Sequence, residues 1–319
     1  MDMINSPPKG LIGVLITPFN DKGKIDARSL ENLINYTRND VEGFLAGVSY
    51  TGEGFLLPNE KKLELIRISL EIIRGRVPLF LGITGNSYEE TAENIVFLEK
   101  IRNELNYSGK IFLFDCPLWY HSNRGLPYHY RELGKLTKLP FVLYNNPYLI
   151  NRLKGHLRRR NIRTNVLKKL SENAQIAGLK HSGEMRRSLN YLRAVRERKS
   201  FIFYDGNELN FLNSPGPGGI ISAGVNILPK DWREIVDSSL NPHDSRKEDP
   251  GYCRHLWETG EKLKLFHFAY RSNPAAIIKT ALKCMGIIKS KRVVEGTASI
   301  SDEEERKIIH LLTEYGLIK

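Results

Sequence analysis

Hydrophobic positions along the chain follow two alternating rhythms. Short apolar runs without polar alternation begin near Leu11 (LIGVLI), Phe44 (FLAGVS), Leu79 (LFLGIT), Lys110 (KIFLFD), Phe141 (FVLY), Ile176 (IAGLK), Phe201 (FIFYD) and Gly219 (GIIS). Such runs suit strands covered on both faces, as in a parallel sheet. The stretches between them carry helical spacing. From Asn59 to Ile73, the residues Leu63, Ile66, Leu70 and Ile73 recur at three- and four-residue steps. Ser87 with Glu90, and Ser301 with Glu304, have the spacing of capping boxes that open helices. The first five gaps between strand starts are 31 to 35 residues, enough for a strand, a helix and two loops, and the last two are 25 and 18. Beyond the eighth run the pattern predicts three more helices, around 252–271, 274–285 and 302–315.

Eight strand–helix units predict an α/β fold: a (β/α)8 TIM barrel over residues 1–240, with additional C-terminal helices over 241–319 packed on it. A doubly wound sheet would normally have fewer strands, and no switch-point phosphate loop is evident. Barrels of this type carry their chemistry where strands end, at the C-terminal face. Three segments meet that condition: Ser49 to Gly54 after the second strand, Tyr144 at the tip of the fifth, and Lys180 at the tip of the sixth. A lysine closing a buried run is costly unless it is used. A lysine and a tyrosine on neighbouring strand tips are what Schiff-base chemistry requires, the amine attacking a keto carbon and the phenol moving protons. The amine must be neutral to attack, so its surroundings are expected to pull it below the usual value of about 10.4.

Composition narrows the class. With 41% apolar and 26% charged residues, the chain reads as soluble and globular. No apolar stretch approaches the roughly 20 residues that cross a bilayer, and the N-terminus lacks a secretion signal, so a cytoplasmic location and no membrane partner are expected. Cys116, Cys253 and Cys284 are too widely spaced to suggest a disulfide framework or a zinc site. The histidines form no HxxxH pattern, which argues against a metal-dependent aldolase. The net charge of +12 is concentrated: Arg152, Lys154, Arg158, Arg159, Arg160, Arg163, Lys168 and Lys169 fall between Leu149 and Ser171 with no acid among them. The segment lacks the interleaved aromatics of a nucleic-acid module. It reads as a solvated or subunit-facing basic helix, and no nucleic-acid partner is expected.

Gly13 to Phe19 (GVLITPF), the Ser-Tyr-Thr-Gly-Glu segment, Tyr144-Asn145-Asn146-Pro147, Gly178-Leu179-Lys180 and Asn273-Pro274-Ala275-Ala276 together resemble the dihydrodipicolinate synthase / N-acetylneuraminate lyase superfamily. The resemblance runs from about Gly10 to the last helix. Its motifs are weakly specific one by one; taken singly, Lys180 would be a salt-bridged strand end and Tyr144 a core phenol. Their order and placement carry the inference. The resemblance implies a class I aldolase acting on a small 2-oxo acid, pyruvate, and an aldehyde. It implies no metal and no cofactor beyond the covalent adduct, and a homotetramer. Lys180 matches the Schiff-base lysine and Tyr144 the catalytic tyrosine. Thr51, Gly52 and Glu53 match the loop whose backbone N–H groups can face the pyruvate carboxylate.

The sequence departs from the family pattern in several places. Tyr50 stands where a small Thr or Ser hydroxyl is usual, with Ser49 as a possible substitute. Leu149 stands where dihydrodipicolinate synthases place an arginine for the carboxylate of aspartate semialdehyde, and an aliphatic chain cannot make that contact; Arg152 lies nearby. Sialic-acid lyases use a polar stretch after strand seven and a serine after strand eight; here these are Asp205-Gly206-Asn207-Glu208 and Ser222-Ala223-Gly224, with Ala223 in register with that serine. Either Trp119 or Tyr120 takes the place of a tyrosine that crosses a subunit boundary in relatives. The Tyr144-to-Lys180 spacing exceeds the family's by about two helical turns, at the basic segment. These departures point toward a 2-keto-3-deoxy sugar acid aldolase, giving pyruvate and a short aldehyde such as glyceraldehyde. Tyr50, Thr51, Gly52, Asn146, Gly206, Asn207, Glu208 and Ser222 are the expected substrate contacts. Dihydrodipicolinate synthase and N-acetylneuraminate lyase activities are the alternatives, and a non-catalytic barrel binding an anionic ligand is the rival from another class.

Overall fold

The computed structural model describes residues 6–49, 51–153 and 159–319. Eight parallel strands close into a barrel in sequence order: β1 (Gly10–Val14), β2 (Gly43–Ala46), β3 (Leu79–Gly82), β4 (Ile111–Asp115), β5 (Phe141–Asn145), β6 (Ile176–His181), β7 (Ile202–Asp205) and β8 (Gly219–Ser222). Every residue of these strands is buried, which is why none reads as polar-alternating. Around them lie α1 (Ala27–Thr37), α2 (Asn59–Ile73), α3 (Tyr88–Glu104), α4 (Leu126–Leu133), α5 (Pro147–Asn151), α6 (Thr164–Ser171), α7 (Met185–Val195), α8 (Glu208–Asn213) and α9 (Pro229–Leu240). The extension adds α10 (Pro250–Tyr270), α11 (Pro274–Cys284) and α12 (Asp302–Glu314). The predicted (β/α)8 TIM barrel with C-terminal helices is therefore the observed fold. The short last gaps in the sequence correspond to α7 and to the six-residue α8.

Helix starts follow local chemistry. Ser301 and Glu304 form both halves of a capping box. Ser87 accepts from the Glu90 N–H, but the Glu90 carboxylate turns to the backbone and side chain of Asn86, so only half of that box forms. In the basic segment, Leu167 and Leu170 anchor α6 while Arg159, Arg160, Arg163, Lys168 and Lys169 are exposed; Lys154 and Arg158 lie outside the described residues.

Two details of the sheet position the site. Where β8 closes on β1, Gly219 (φ 97°) approaches so near that a Cβ there would sit 2.0 Å from the Gly10 carbonyl oxygen. The seam thus needs glycine on steric and conformational grounds alike. Between β5 and β6 the pairing jumps: Phe141 lies opposite Ile176, but Val142 lies opposite Gly178, and Ala177 is the extra residue. This bulge brings Tyr144 opposite Lys180; in a regular ladder it would face Leu179, whose side chain points to the other side of the sheet. Inside the barrel, Phe80 from β3 meets Tyr204 from β7 edge-on at 5.9 Å, filling the lumen below the strand tips.

The helical extension shares the barrel's core, through Leu263, Phe266, Ile277 and Ile278 among others. Helix α11 is buried from Ala275 to Leu282, including Lys279, which is fully shielded from solvent. Its ammonium pairs with the equally buried carboxylate of Glu53 and donates to the Arg292 carbonyl at 2.9 Å. The other Glu53 oxygen accepts from the Val294 N–H at 2.7 Å. Glu53 follows β2 with φ 62°, a left-handed conformation uncommon outside glycine, and it is held there from two sides. Replacing Lys279 with methionine leaves a buried carboxylate without its cation and should cost about 3–5 kcal/mol. Urea denaturation reads this loss, and adding Glu53→Gln to the variant should restore part of it.

Candidate active site

At the C-terminal mouth of the barrel a cavity of about 590 Å3 opens among the loops after β2, β5, β6, β7 and β8 and the end of α10. Lys180 and Tyr144 lie in its wall, side by side across the β5–β6 ladder, with the Lys180 nitrogen 4.9 Å from the centre of the tyrosine ring. Both are buried, Lys180 at 4% exposure and Tyr144 at 3%. Burial draws the Lys180 amine down to about 8, against the opposite pull of the Glu208 and Asp205 carboxylates. Burial pushes the Tyr144 phenol up to about 12, and hydrogen bonds with Ser182 and Asn146 oppose that rise. The amine is thus far easier to deprotonate than a surface lysine, while the phenol keeps its proton for delivery.

Seven of the expected contact and catalytic residues meet in this cavity: Lys180, Tyr144, Thr51, Asn146, Gly206, Asn207 and Glu208. Their polar atoms are used differently from the expectation. The Asn146 amide donates to the Tyr144 oxygen at 2.7 Å, and its carbonyl oxygen caps α5 by accepting from the Leu149 N–H; Asn146 serves the tyrosine. Asn207 caps α8 through the Asn210 N–H. The expected nest after β2 is altered, because the Gly52 N–H is bound by the Ser49 hydroxyl at 2.7 Å and the Gly52 carbonyl by Thr17 at 2.8 Å. Ser49 is likewise engaged within its own loop. Tyr50 lies outside the described residues.

Glu208 and Ser222 need a larger correction. One Glu208 oxygen accepts from the Ser222 hydroxyl (2.7 Å) and from the N–H groups of Ala223 (2.9 Å) and Gly224 (2.8 Å). The other meets His267 Nδ1 at 2.6 Å and the Tyr270 hydroxyl. Its acceptor capacity goes to the protein, and Ser222, fully buried, turns to Glu208 rather than to the cavity. Burial alone would raise this carboxyl, but the His267 bond and charge, the Tyr270 hydroxyl and the Gly224 N–H outweigh it and hold Glu208 at about 2. Asp205, at the end of β7, is pushed up by burial to about 6, opposed by the N–H groups of Asn207 and Gly206 and by Lys180.

Sequence reasoning missed Ser182, His267 and Tyr270, which also line the cavity. His267 and Tyr270 are three residues apart on one face of α10, a helix that is mostly exposed or half-buried and rich in charged residues, so nothing in the local sequence singled them out. Of the two candidates after β4, Tyr120 turns inward, its hydroxyl donating to Asp115 and meeting His129 Nε2. Trp119 faces Asn86 and Phe55. Leu149 is buried in the cavity wall, and Arg152 and Arg271 stand in the same wall. Among the described residues no three His, Cys, Asp or Glu side chains converge as a metal-holding group, and no helix there is long and apolar enough to cross a membrane.

A buried amine drawn toward neutrality beside a proton-carrying phenol, at the C-terminal mouth of a (β/α)8 barrel, defines the class I carbon–carbon lyases, which hold pyruvate as a lysine Schiff base without a metal. Residues 7–315 match the Dihydrodipicolinate synthetase family, and the chain belongs to it. It is 27% identical to the 4-hydroxy-tetrahydrodipicolinate synthase of Thermodesulfovibrio yellowstonii over 315 residues, covering 98% of this chain and 99% of that one. It is 30% identical over 244 residues to the enzyme of the same name from Buchnera aphidicola subsp. Baizongia pistaciae, covering 73% and 75% of the two chains. The solved 4-hydroxy-tetrahydrodipicolinate synthase of Methylacidiphilum fumariolicum SolV superposes with a TM-score of 0.77 at 25% identity, covering 97% of this chain and 96% of that one.

Two pH dependences follow. With Lys180 near 8, the neutral fraction grows as pH rises, so the initial rate of cyanoborohydride-trapped pyruvate adduct should increase about tenfold from pH 7 to pH 9. Glu208 is depressed from 4.5 to about 2. Its contribution to stability is therefore complete above pH 4.5 and is lost as pH falls toward 2, on the order of 3 kcal/mol. Glu208→Gln should remove that part of the acid limb in denaturation measured across this range.

Proposed function

We propose that this enzyme condenses pyruvate with a short aldehyde that carries a carboxylate, aspartate semialdehyde, using Lys180 as the Schiff-base amine and Tyr144 as the proton carrier. The observation that carries the lyase reading is the pairing of these two buried side chains across the β5–β6 ladder, 4.9 Å from nitrogen to ring centre. Neutral Lys180 attacks C2 of pyruvate, and the resulting carbinolamine loses its oxygen as water with a proton from Tyr144. The iminium draws electrons from the methyl group, whose proton passes to the phenolate and leaves an enamine. The enamine carbon bonds to the aldehyde carbon, and Tyr144 protonates the oxygen that was the aldehyde's. The amine of the aldehyde partner can then attack C2, closing a ring and displacing Lys180.

Two considerations favour the acidic aldehyde. Arg152 and Arg271 give the cavity wall two cations, which suit a carboxylate better than neutral glyceraldehyde. Relatives that match along nearly the whole chain bear the synthase name. The 2-keto-3-deoxy sugar acid reading keeps one specific point in its favour: Leu149 stands where a synthase arginine is expected, so the carboxylate falls to Arg152, the residue just past the end of α5, with Arg271 in the same wall. A homotetramer in the cytoplasm belongs to this proposal and is supported by the family alone; sedimentation of the purified chain reads the first.

Reduction in the presence of pyruvate should add the mass of the reduced adduct to the peptide holding Lys180, and Lys180→Ala should abolish it. In an aldehyde panel, aspartate semialdehyde should drive pyruvate loss faster than glyceraldehyde or N-acetylmannosamine. Arg152→Ala should raise its KM by about tenfold while leaving that for pyruvate in place. Preference for glyceraldehyde would transfer the function to the sugar acid reading.

A further inference from the structure

Resting on the substrate reading above, we propose that His267 is a catalytic base for the second half of the reaction. Held by Glu208 through Nδ1, it takes a proton at Nε2 from the ammonium of the condensed aldehyde partner and frees the amine that displaces Lys180.

The geometry starts from the carboxylate. One Glu208 oxygen is filled by the Ser222 hydroxyl and the N–H groups of Ala223 and Gly224. The other takes the Tyr270 hydroxyl and lies 2.6 Å from His267 Nδ1. A carboxylate ringed by donors is an acceptor, so the proton between it and the imidazole belongs to Nδ1. In the neutral ring Nε2 is then a bare acceptor. Among the described residues no hydrogen bond reaches Nε2, and the atom is not shut away from solvent. The His267 side chain lines the cavity and keeps 17% exposure where that of Glu208 keeps 7%, so one edge of the ring is anchored and the other is open. A base oriented by a third group through its second nitrogen is the arrangement that activates imidazole in nucleophilic sites. The other charged groups of the cavity wall are Lys180, Arg152 and Arg271, none of which can accept a proton while charged.

The proton balance of the reaction calls for such an acceptor. After the carbon–carbon bond forms, the adduct is an iminium on Lys180, the partner carries an ammonium, and Tyr144 is a phenolate. On becoming the ring imine, the ammonium nitrogen gives up three protons. Lys180 takes one as its bond to C2 breaks and it returns to the free amine, and Tyr144 takes one as it returns to the phenol. One proton remains, and it must leave first, because the ammonium has no lone pair with which to attack C2. Nε2 receives it; the amine then bonds to C2, and His267 passes its proton to solvent at the cavity mouth before the next turnover.

His267→Asn separates this role from support of Glu208. The asparagine NH2 falls where Nδ1 stands and still donates to the carboxylate, but nothing replaces Nε2. With pyruvate and aspartate semialdehyde, kcat should fall about a hundredfold, the lower end of what a positioned base supplies. Borohydride quenching should then find the Lys180 peptide carrying the mass of pyruvate plus aldehyde. Exchange of the pyruvate methyl protons in D2O, which needs no aldehyde, should stay within about twofold of wild type. The gap in kcat should narrow as pH rises from 7 to 9, since the ammonium then loses its proton to water. If the asparagine variant does not fold, His267→Gln, whose amide likewise takes up no proton, carries the same measurements. The proposal is overturned if the variant turns over at the wild-type rate, if methyl exchange falls in step with turnover, or if only the pyruvate adduct accumulates. A wild-type protein that exchanges methyl protons yet consumes no pyruvate with the semialdehyde overturns the substrate reading itself, and this role with it, before any variant is compared.

Discussion

The inserted residue Ala177 on β6 decides which side chains share the inner face of the barrel beside β5. Parallel strands bring registered neighbours to the same side, and a one-residue offset reverses the assignment. With Ala177 looped out of register, Tyr144 lies against Lys180 and Asn145 against His181. The pairing of amine and phenol at the mouth follows from that juxtaposition. Burial away from water disfavours the charge on the amine and keeps the proton on the phenol until a substrate oxygen takes it.

Around this pair the fold buries several charges, and it does so by pairing or hydrogen-bonding them. Glu208 is surrounded by donors from β8, the loop after it, and α10. Glu53 is met by α11 and by the chain near Val294. Neither carboxylate is available to a ligand. Both tie loops that form the cavity to distant parts of the chain.

Much of this was legible in the sequence. All eight strands were, because a parallel barrel buries both faces of each strand and leaves uninterrupted apolar runs; so were the caps at Ser87 and Ser301, which are local. Lys180 and Tyr144 stood out because a charged or phenolic residue closing such a run is rare. The roles of Asn146, Gly52, Glu208 and Ser222 did not come through. A polar residue at a strand end can face either a ligand or its own protein, and the choice depends on distant segments. For Glu208 the deciding donors lie 59 and 62 residues further along the chain. No spacing rule links them.

The dependence of the mouth on α10 and α11 has a consequence for biosynthesis. As the polypeptide leaves the ribosome, all eight strands emerge before His267, Tyr270 and Lys279. Until those three arrive, Glu208 has only its donors from β8 and the loop after it, and Glu53 lacks its cation, so the loops they hold are only partly tied down. A nascent barrel can thus pack its centre early while its working end stays unformed, and competence comes only with the final stretch of translation.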